Sequence, residues 1–161
     1  THLSTELRGQ AIFWLGQSRK VDVDFLRAVF KQATSEDVRS QIFMAVAQQR
    51  TPEGTKWLMD LARDKTADIE SRKNAVFWAA QNGVSVASIN TLYDDMRGDE
   101  ELQLHILFIL SQRNEAAALD KLFSVVKNDP DVELKTQALF WIGQKKNDPR
   151  AVAFIQELIK G

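Results

Sequence analysis

The side chains that could carry out chemistry in this chain are few or scattered. Its two histidines, His2 and His105, are far apart, and cysteine is absent. Two imidazoles so separated, with no thiolate to join them, do not make a metal site. Without cysteine there is no disulfide, no thiolate ligand and no sulfur nucleophile. Carboxylates are plentiful but local, as in Asp94-Asp95, Asp99-Glu100-Glu101 and the pair Asp129 and Asp131. Paired acids that exchange protons need a pocket that drives their pKa values apart. These acids fall where turns and helix starts are predicted, and solvation and capping account for them. No phosphate-binding glycine loop, nucleophile elbow or EF-hand loop is present. The sequence therefore assigns no catalytic residue, no cofactor and no metal.

What does recur is an amide. Five segments align on a glutamine: Ala11 to Gln17, Ile42 to Gln48, Ala75 to Gln81, Ile106 to Gln112 and Ala138 to Gln144. The glutamines are 31, 33, 31 and 32 residues apart. A fixed period in the range of 20 to 50 residues is the signature of a repeat architecture. On a helix turning about 100° per residue, the positions four and seven before each glutamine share its face. Four before stand Phe13, Met44, Phe77, Phe108 and Phe140; seven before stand Gln10, Gln41, Asn74, His105 and Gln137. Stacked repeats would align an amide row on Gln17, Gln48, Gln81, Gln112 and Gln144, a row of large apolar side chains, and a second amide row. Large apolar groups offer contact area, and amides both donate and accept hydrogen bonds to a peptide backbone. The same regularity also suits a scaffold, in which stacked glutamines bond to one another over packed phenylalanines. Both readings stay open on the sequence. His105 reads as a variant of the amide position that titrates near neutral pH.

The elements that must position these rows are helices. Each unit has two halves with apolar residues at helical spacing, as in Leu7, Ala11, Trp14 and Leu15, then Phe25, Leu26, Val29 and Phe30. No segment alternates as a strand does, so the spacing predicts ten helices and no sheet. Thr51-Pro52-Glu53 and Asn147-Asp148-Pro149 place proline at a first helical position, where its missing N–H costs nothing. Asn82-Gly83 marks a turn, while Thr34 or Ser35, and Thr66, are read as caps for the helices that follow. The residues three, six and ten before the glutamine, Leu7, Ala11 and Trp14 in the first unit and Leu134, Ala138 and Trp141 in the fifth, are predicted as the core stripe. Trp14, Trp78 and Trp141 would then alternate with the smaller Ala45 and Ile109 as interdigitating layers, with Trp57 in a second helix. A basic row, Arg8, Arg39, Arg72 and Lys135, is expected to pair with Asp37, Asp60, Asp64, Asp95 or Asp129.

An aliphatic residue, a basic one, two variable positions, then Ala and a Leu-Gly pair appear as Leu7-Arg8, Ala11 and Leu15-Gly16. They return as Leu134-Lys135, Ala138 and Ile142-Gly143. This pattern resembles the HEAT-like repeat family, of the kind seen in bilin-lyase-type repeats, over nearly the whole chain. The third unit departs from it with Ser71 in the aliphatic position, where Ile69 is expected to substitute, and the fourth with Gln103 in the basic one. The resemblance implies a single all-α domain over 1–161, a right-handed α-solenoid of about ten helices in five helix-turn-helix repeats, approximately 1–33, 34–65, 66–97, 98–129 and 130–161. It also implies that the amide and aromatic face is the concave one.

The function expected is a non-catalytic scaffold that binds a protein or peptide, or another domain of its parent chain. The alternative is an enzyme of a HEAT-like class, acting on nucleic-acid bases or on a bilin. A glycosylase would need a basic groove and a buried catalytic carboxylate. Here 21 lysines and arginines face 22 aspartates and glutamates, a net charge of −1, so the positive field of a nucleic-acid binder is missing. No nucleic-acid partner is expected. The longest apolar run, Ile106 to Leu110, falls well short of the roughly 20 residues that cross a bilayer, so no membrane insertion is expected either. The chain opens Thr1-His2-Leu3 and reads as a piece of a longer or processed protein, with no targeting segment to fix its compartment. Its last helix ends with Val152, Ile155, Leu158 and Ile159 apolar; solenoid ends need covering, by further repeats or by another surface.

Overall fold

A computed structural model describes residues 4–18 and 21–161, so His2 lies outside the described residues. Among them the chain is all-α, ten helices without a strand. They are α1 (Thr5–Gly16), α2 (Val23–Gln32), α3 (Glu36–Gln49), α4 (Pro52–Arg63), α5 (Ile69–Gln81), α6 (Val86–Asp95), α7 (Glu100–Ser111), α8 (Ala116–Asn128), α9 (Val132–Gly143) and α10 (Pro149–Lys160). The glutamine-bearing segments are the odd-numbered helices. Two compact units divide the chain, Thr1–Val84 and Ser85–Gly161.

Local chemistry sets the helix starts. Thr51 accepts the Gly54 N–H at 3.0 Å with Pro52 behind it, and Asp148 accepts the Arg150 N–H at 2.9 Å ahead of Pro149. Ser35 caps α3 through the Val38 N–H. The expected cap at Thr66 is instead supplied by Asp68, which accepts the Ser71 N–H at 2.9 Å. Thr66 turns back to Asp64, giving it both its N–H and its hydroxyl. An aspartate directly before the first helical residue reaches the orphan N–H groups, and a threonine two positions earlier does not. Asn82 closes α5, and Gly83 follows at φ 87°, a left-handed turn that glycine adopts without a Cβ penalty.

In the first unit α1 packs on α3 and α3 on α5, with α2 and α4 against α3, and α4 against α5. In the second, α7 packs on α9, α6 and α8 lie on α7, and α8 and α10 lie on α9. The odd-numbered helices α3, α5, α7 and α9 therefore meet neighbours in two directions, whereas α1 packs chiefly on α3. The middle helices have a correspondingly wide core: α3 buries Val38, Ile42, Phe43, Ala45, Val46 and Ala47, and α7 buries Leu102, Ile106, Leu107, Ile109 and Leu110. In the register of the glutamine, positions ten, six, five and two before it are buried in the middle helices. Each such Ile, Leu or Phe stabilises the fold by about 1.5–3 kcal/mol.

The core stripe expected from the sequence needs correction at this point. Leu134 and Ala138 are buried, but Trp78 and Trp141 are only partly covered and Trp14 is 68% exposed, as is Leu7 at 53%. Positions six and ten stay buried in α3, α5 and α7, and position five joins them; α1 packs chiefly on α3 and α2 does not close over it, which leaves Leu7 and Trp14 open. Position three is buried where the residue is smaller, at Ala45 and Ile109, and half-buried at Trp78 and Trp141. In the first repeat, moreover, α1 and α2 leave between them an open cleft of about 510 Å³ lined by Arg8, Ala11, Ile12, Leu15, Phe25 and Val29, among others. Ala11 and Phe25 stay exposed there. Ser71 occupies the aliphatic position itself, 3% exposed, while Ile69 is half-buried and starts α5.

The residue that follows the glutamine, at Gln49 and Lys145, ties one repeat to the one before. Gln49 donates from Nε2 to the carbonyls of Gly16 and Ser18 at 2.9 and 3.1 Å, and its Oε1 accepts the Val21 N–H. Lys145 Nζ donates to the Ser111 carbonyl at 3.1 Å. Both satisfy carbonyls that the end of an α-helix leaves without partners.

Candidate functional site

The glutamine face is built by the odd-numbered helices. In the first unit Gln17, Gln48 and Gln81 are exposed, as are Gln10 and Phe13, while Gln41, Met44, Asn74 and Phe77 are half-buried. In the second, Gln112, Gln144 and Phe140 are exposed, and His105, Phe108 and Gln137 are half-buried. None of the fifteen is in the buried core, although the residue directly before each Phe or Met, Phe43, Val76 and Leu107 among them, is fully buried in the middle helices.

Within each unit the rows touch one another. Gln17 Nε2 donates to Gln48 Oε1 at 3.2 Å, joining the glutamines of α1 and α3. In the second unit Phe108 and Trp141 lie 5.5 Å apart across α7 and α9, and His105 sits 6.2 Å from Phe108 on its own helix. The tryptophans that failed as core layers have a place here. Each stands edge-to-face on the phenylalanine before it: Phe13 with Trp14 at 5.3 Å, Phe77 with Trp78 at 5.4 Å, Phe140 with Trp141 at 4.9 Å. Such pairs add about 0.5–1.5 kcal/mol beyond area burial, and here they hold two rings upright at a solvent-facing surface.

The basic row meets acids, as expected, and it also closes helix ends. Arg39 Nε donates to the Ala33 carbonyl at 2.9 Å, Arg72 Nε to Ala62 at 3.1 Å, and Gln103 Nε2, in the same position, to Tyr93 at 3.2 Å. All three close the C-terminal end of the preceding even-numbered helix, a task for any side-chain N–H, and this explains why glutamine replaces arginine there. The acidic partner of Arg39 is Asp68, at 3.0 Å. Thr66's hydroxyl and N–H, with the charge of Arg72 adding, hold the Asp64 carboxyl below its ordinary range. Asp60 pairs with Lys56, and Asp129 accepts the Tyr93 hydroxyl at 2.7 Å; burial first, and then this bond, push the Tyr93 pKa up.

One row escaped the sequence reading. Eleven residues before each glutamine stands an acid, Glu6, Asp37, Glu70, Glu101 and Glu133, and all five are exposed. Eleven steps of about 100° return to within some 20° of the starting direction, so the acids lie on the glutamine face, one full turn beyond the second amide row. The spacing of the known rows could have found them. A carboxylate in the first turn also complements the helix dipole; that accounts for acidity, and less well for one angular position kept in five helices. Glu70 pairs with Lys73 at 3.5 Å on its own helix. From N- to C-terminus each odd-numbered helix thus presents acid, amide (histidine in α7), large apolar group and amide.

Among the described residues no group of three or more His, Asp or Glu side chains is placed to hold a metal ion, and no helix is long and apolar enough to cross a membrane. Compared with known proteins, the chain matches no family model, no curated protein and no solved structure.

Proposed function

We propose that this chain is a HEAT-like, non-catalytic interaction scaffold that binds an extended protein segment, from a partner or from another domain of its parent, on the odd-numbered helices within a unit. The observation that carries this reading is the persistent exposure of the face: fifteen amide, aromatic, His and Met positions in five helices stay partly or fully open to solvent, while the residue directly before the Phe or Met is buried in α1, α3, α5 and α7. A row that served packing alone would be buried with its neighbours. The two-helix period and the Leu-Gly pattern support the HEAT-like assignment.

The chemistry suits a peptide backbone. Phe, Met and Trp supply apolar area, and the flanking amides donate and accept without imposing a charge. Packed helices stand about 8–10 Å apart, and an extended polyproline-like segment advances about 9 Å in three residues, so every third side chain would meet the next odd-numbered helix within a unit. The acidic row repels phosphate, which weighs against an enzyme working on nucleic acid.

The reading is tested by selecting random linear peptides displayed on phage against the whole chain, with counter-selection against Phe77→Ala/Phe108→Ala. Peptides that bind the chain and lose binding to the double variant are the expected result. Enriched peptides that bind both proteins equally would overturn it, as would a selection that enriches none.

A further inference from the structure

Between α1 and α3, at the acidic end of the face, lies a cleft of about 490 Å³ lined by Glu6, Gly9, Gln10 and Phe13 of α1 and by Asp37 and Gln41 of α3, with Thr5 at its rim. Its volume falls within the range of ordinary small-ligand sites. We propose that this notch receives an arginine side chain of the bound segment. The inference rests on the peptide-binding reading above and adds the identity of one side chain to it.

Three features carry it. The lining holds two carboxylates and no cation, so a positive group entering it meets only attraction from the walls. The Gln41 Oε1 is buried and has no hydrogen-bond partner; an acceptor left in that condition costs free energy until a donor arrives. Finally, the cleft is open because position eight before the glutamine is Gly9, where the other repeats carry Ser40, Lys73, Leu104 and Thr136. A Cβ at Gly9 would stand 3.8 Å from Gln41 Cγ, an ordinary contact, so alanine fits there and a longer side chain would fill the space.

Guanidinium answers all three demands. It carries five N–H donors and no acceptor, its planar fork bridges a carboxylate and a second acceptor at once, and its flat face packs on an aromatic ring such as Phe13.

The probe is N-acetyl-arginine amide, titrated into the isotope-labelled whole chain and followed by the amide resonances of Gly9, Gln10 and Gln41, with N-acetyl-citrulline amide as the neutral isostere. Arginine should shift these resonances, citrulline should bind at least about fivefold more weakly, and Glu6→Gln/Asp37→Asn should weaken arginine by a similar factor. Gly9→Ala should keep the response and Gly9→Leu should abolish it. Equal titration by arginine and citrulline, or arginine binding retained in Gly9→Leu, overturns the notch even where linear peptides are captured. Arginine binding with these dependences supports the notch even where peptide selection fails, so the two readings fall separately.

Discussion

Gln17 Nε2 donates to Gln48 Oε1 at 3.2 Å across α1 and α3, an amide pair in solvent on the face proposed to bind. If the glutamines were there chiefly to hold the repeats together, losing one would be costly. The bond is exposed, and an exposed neutral hydrogen bond contributes about 1 kcal/mol or less. Gln48→Ala should therefore lower unfolding free energy by no more than about 1 kcal/mol, read from urea midpoints, while weakening a captured peptide. A loss above about 2 kcal/mol would return the row to a scaffold role.

Arg72 should behave in the opposite way. It is 4% exposed and closes α4 through the Ala62 carbonyl. Arg72→Ala removes that donor and the packing of its stem, so a loss of roughly 2–4 kcal/mol is expected. The half-buried Arg39, which does the same for Ala33, should cost less. Urea unfolding of the two variants checks the order.

At the start of α5, partial burial works to raise the Asp68 pKa, but hydrogen bonds from the Ser71 N–H and hydroxyl and the charge of Arg39 outweigh it and hold the carboxyl below its ordinary value of 3.8. The folded state thus binds this proton less tightly than the unfolded chain. Its stabilising contribution is complete above the unfolded value and is lost as pH falls through the folded one. Asp68→Asn should flatten the acid limb of stability between about pH 5 and about pH 2. An unchanged acid limb would show that the cap and the ion pair contribute nothing.

The two glycines of the repeat pattern, in Leu15-Gly16 and Ile142-Gly143, should respond differently to a methyl group. A Cβ at Gly16 would lie 2.9 Å from Ala45 Cβ and 3.0 Å from its Cα, whereas nothing stands within 4 Å at Gly143. Gly16→Ala should force α1 away from α3 at a cost of about 1–3 kcal/mol. Gly143→Ala should be neutral or stabilising by up to about 1 kcal/mol, since alanine is the better helix former. Thermal unfolding followed by circular dichroism distinguishes the two.

How much of this was legible in the residues depends on the range of the interaction. The repeat, the ten helices and the proline-led starts at Thr51 and Asp148 rest on local spacing and capping, which sequence states directly. The exposed glutamine face was legible too, because helical phase alone defines it. Trp14 was misplaced because phase gives directions and not the number of neighbours, and α2 does not close over α1. Thr66 lost the cap to Asp68 by two positions of backbone geometry. The partners of Arg39 and Arg72 are backbone carbonyls of another helix, which no residue type announces. The acidic row was present in the numbering throughout and needed only the next multiple of the helical turn.

The aromatic and amide face is proposed to bind a linear segment. This binding is tested most directly by calorimetric titration of one selected peptide into the chain and into Phe77→Ala/Phe108→Ala, with helicity recorded for both proteins. At least about a tenfold loss of affinity, equivalent to about 1.4 kcal/mol, is expected, with the helical signal unchanged. Equal affinity in two equally helical proteins would contradict the proposal.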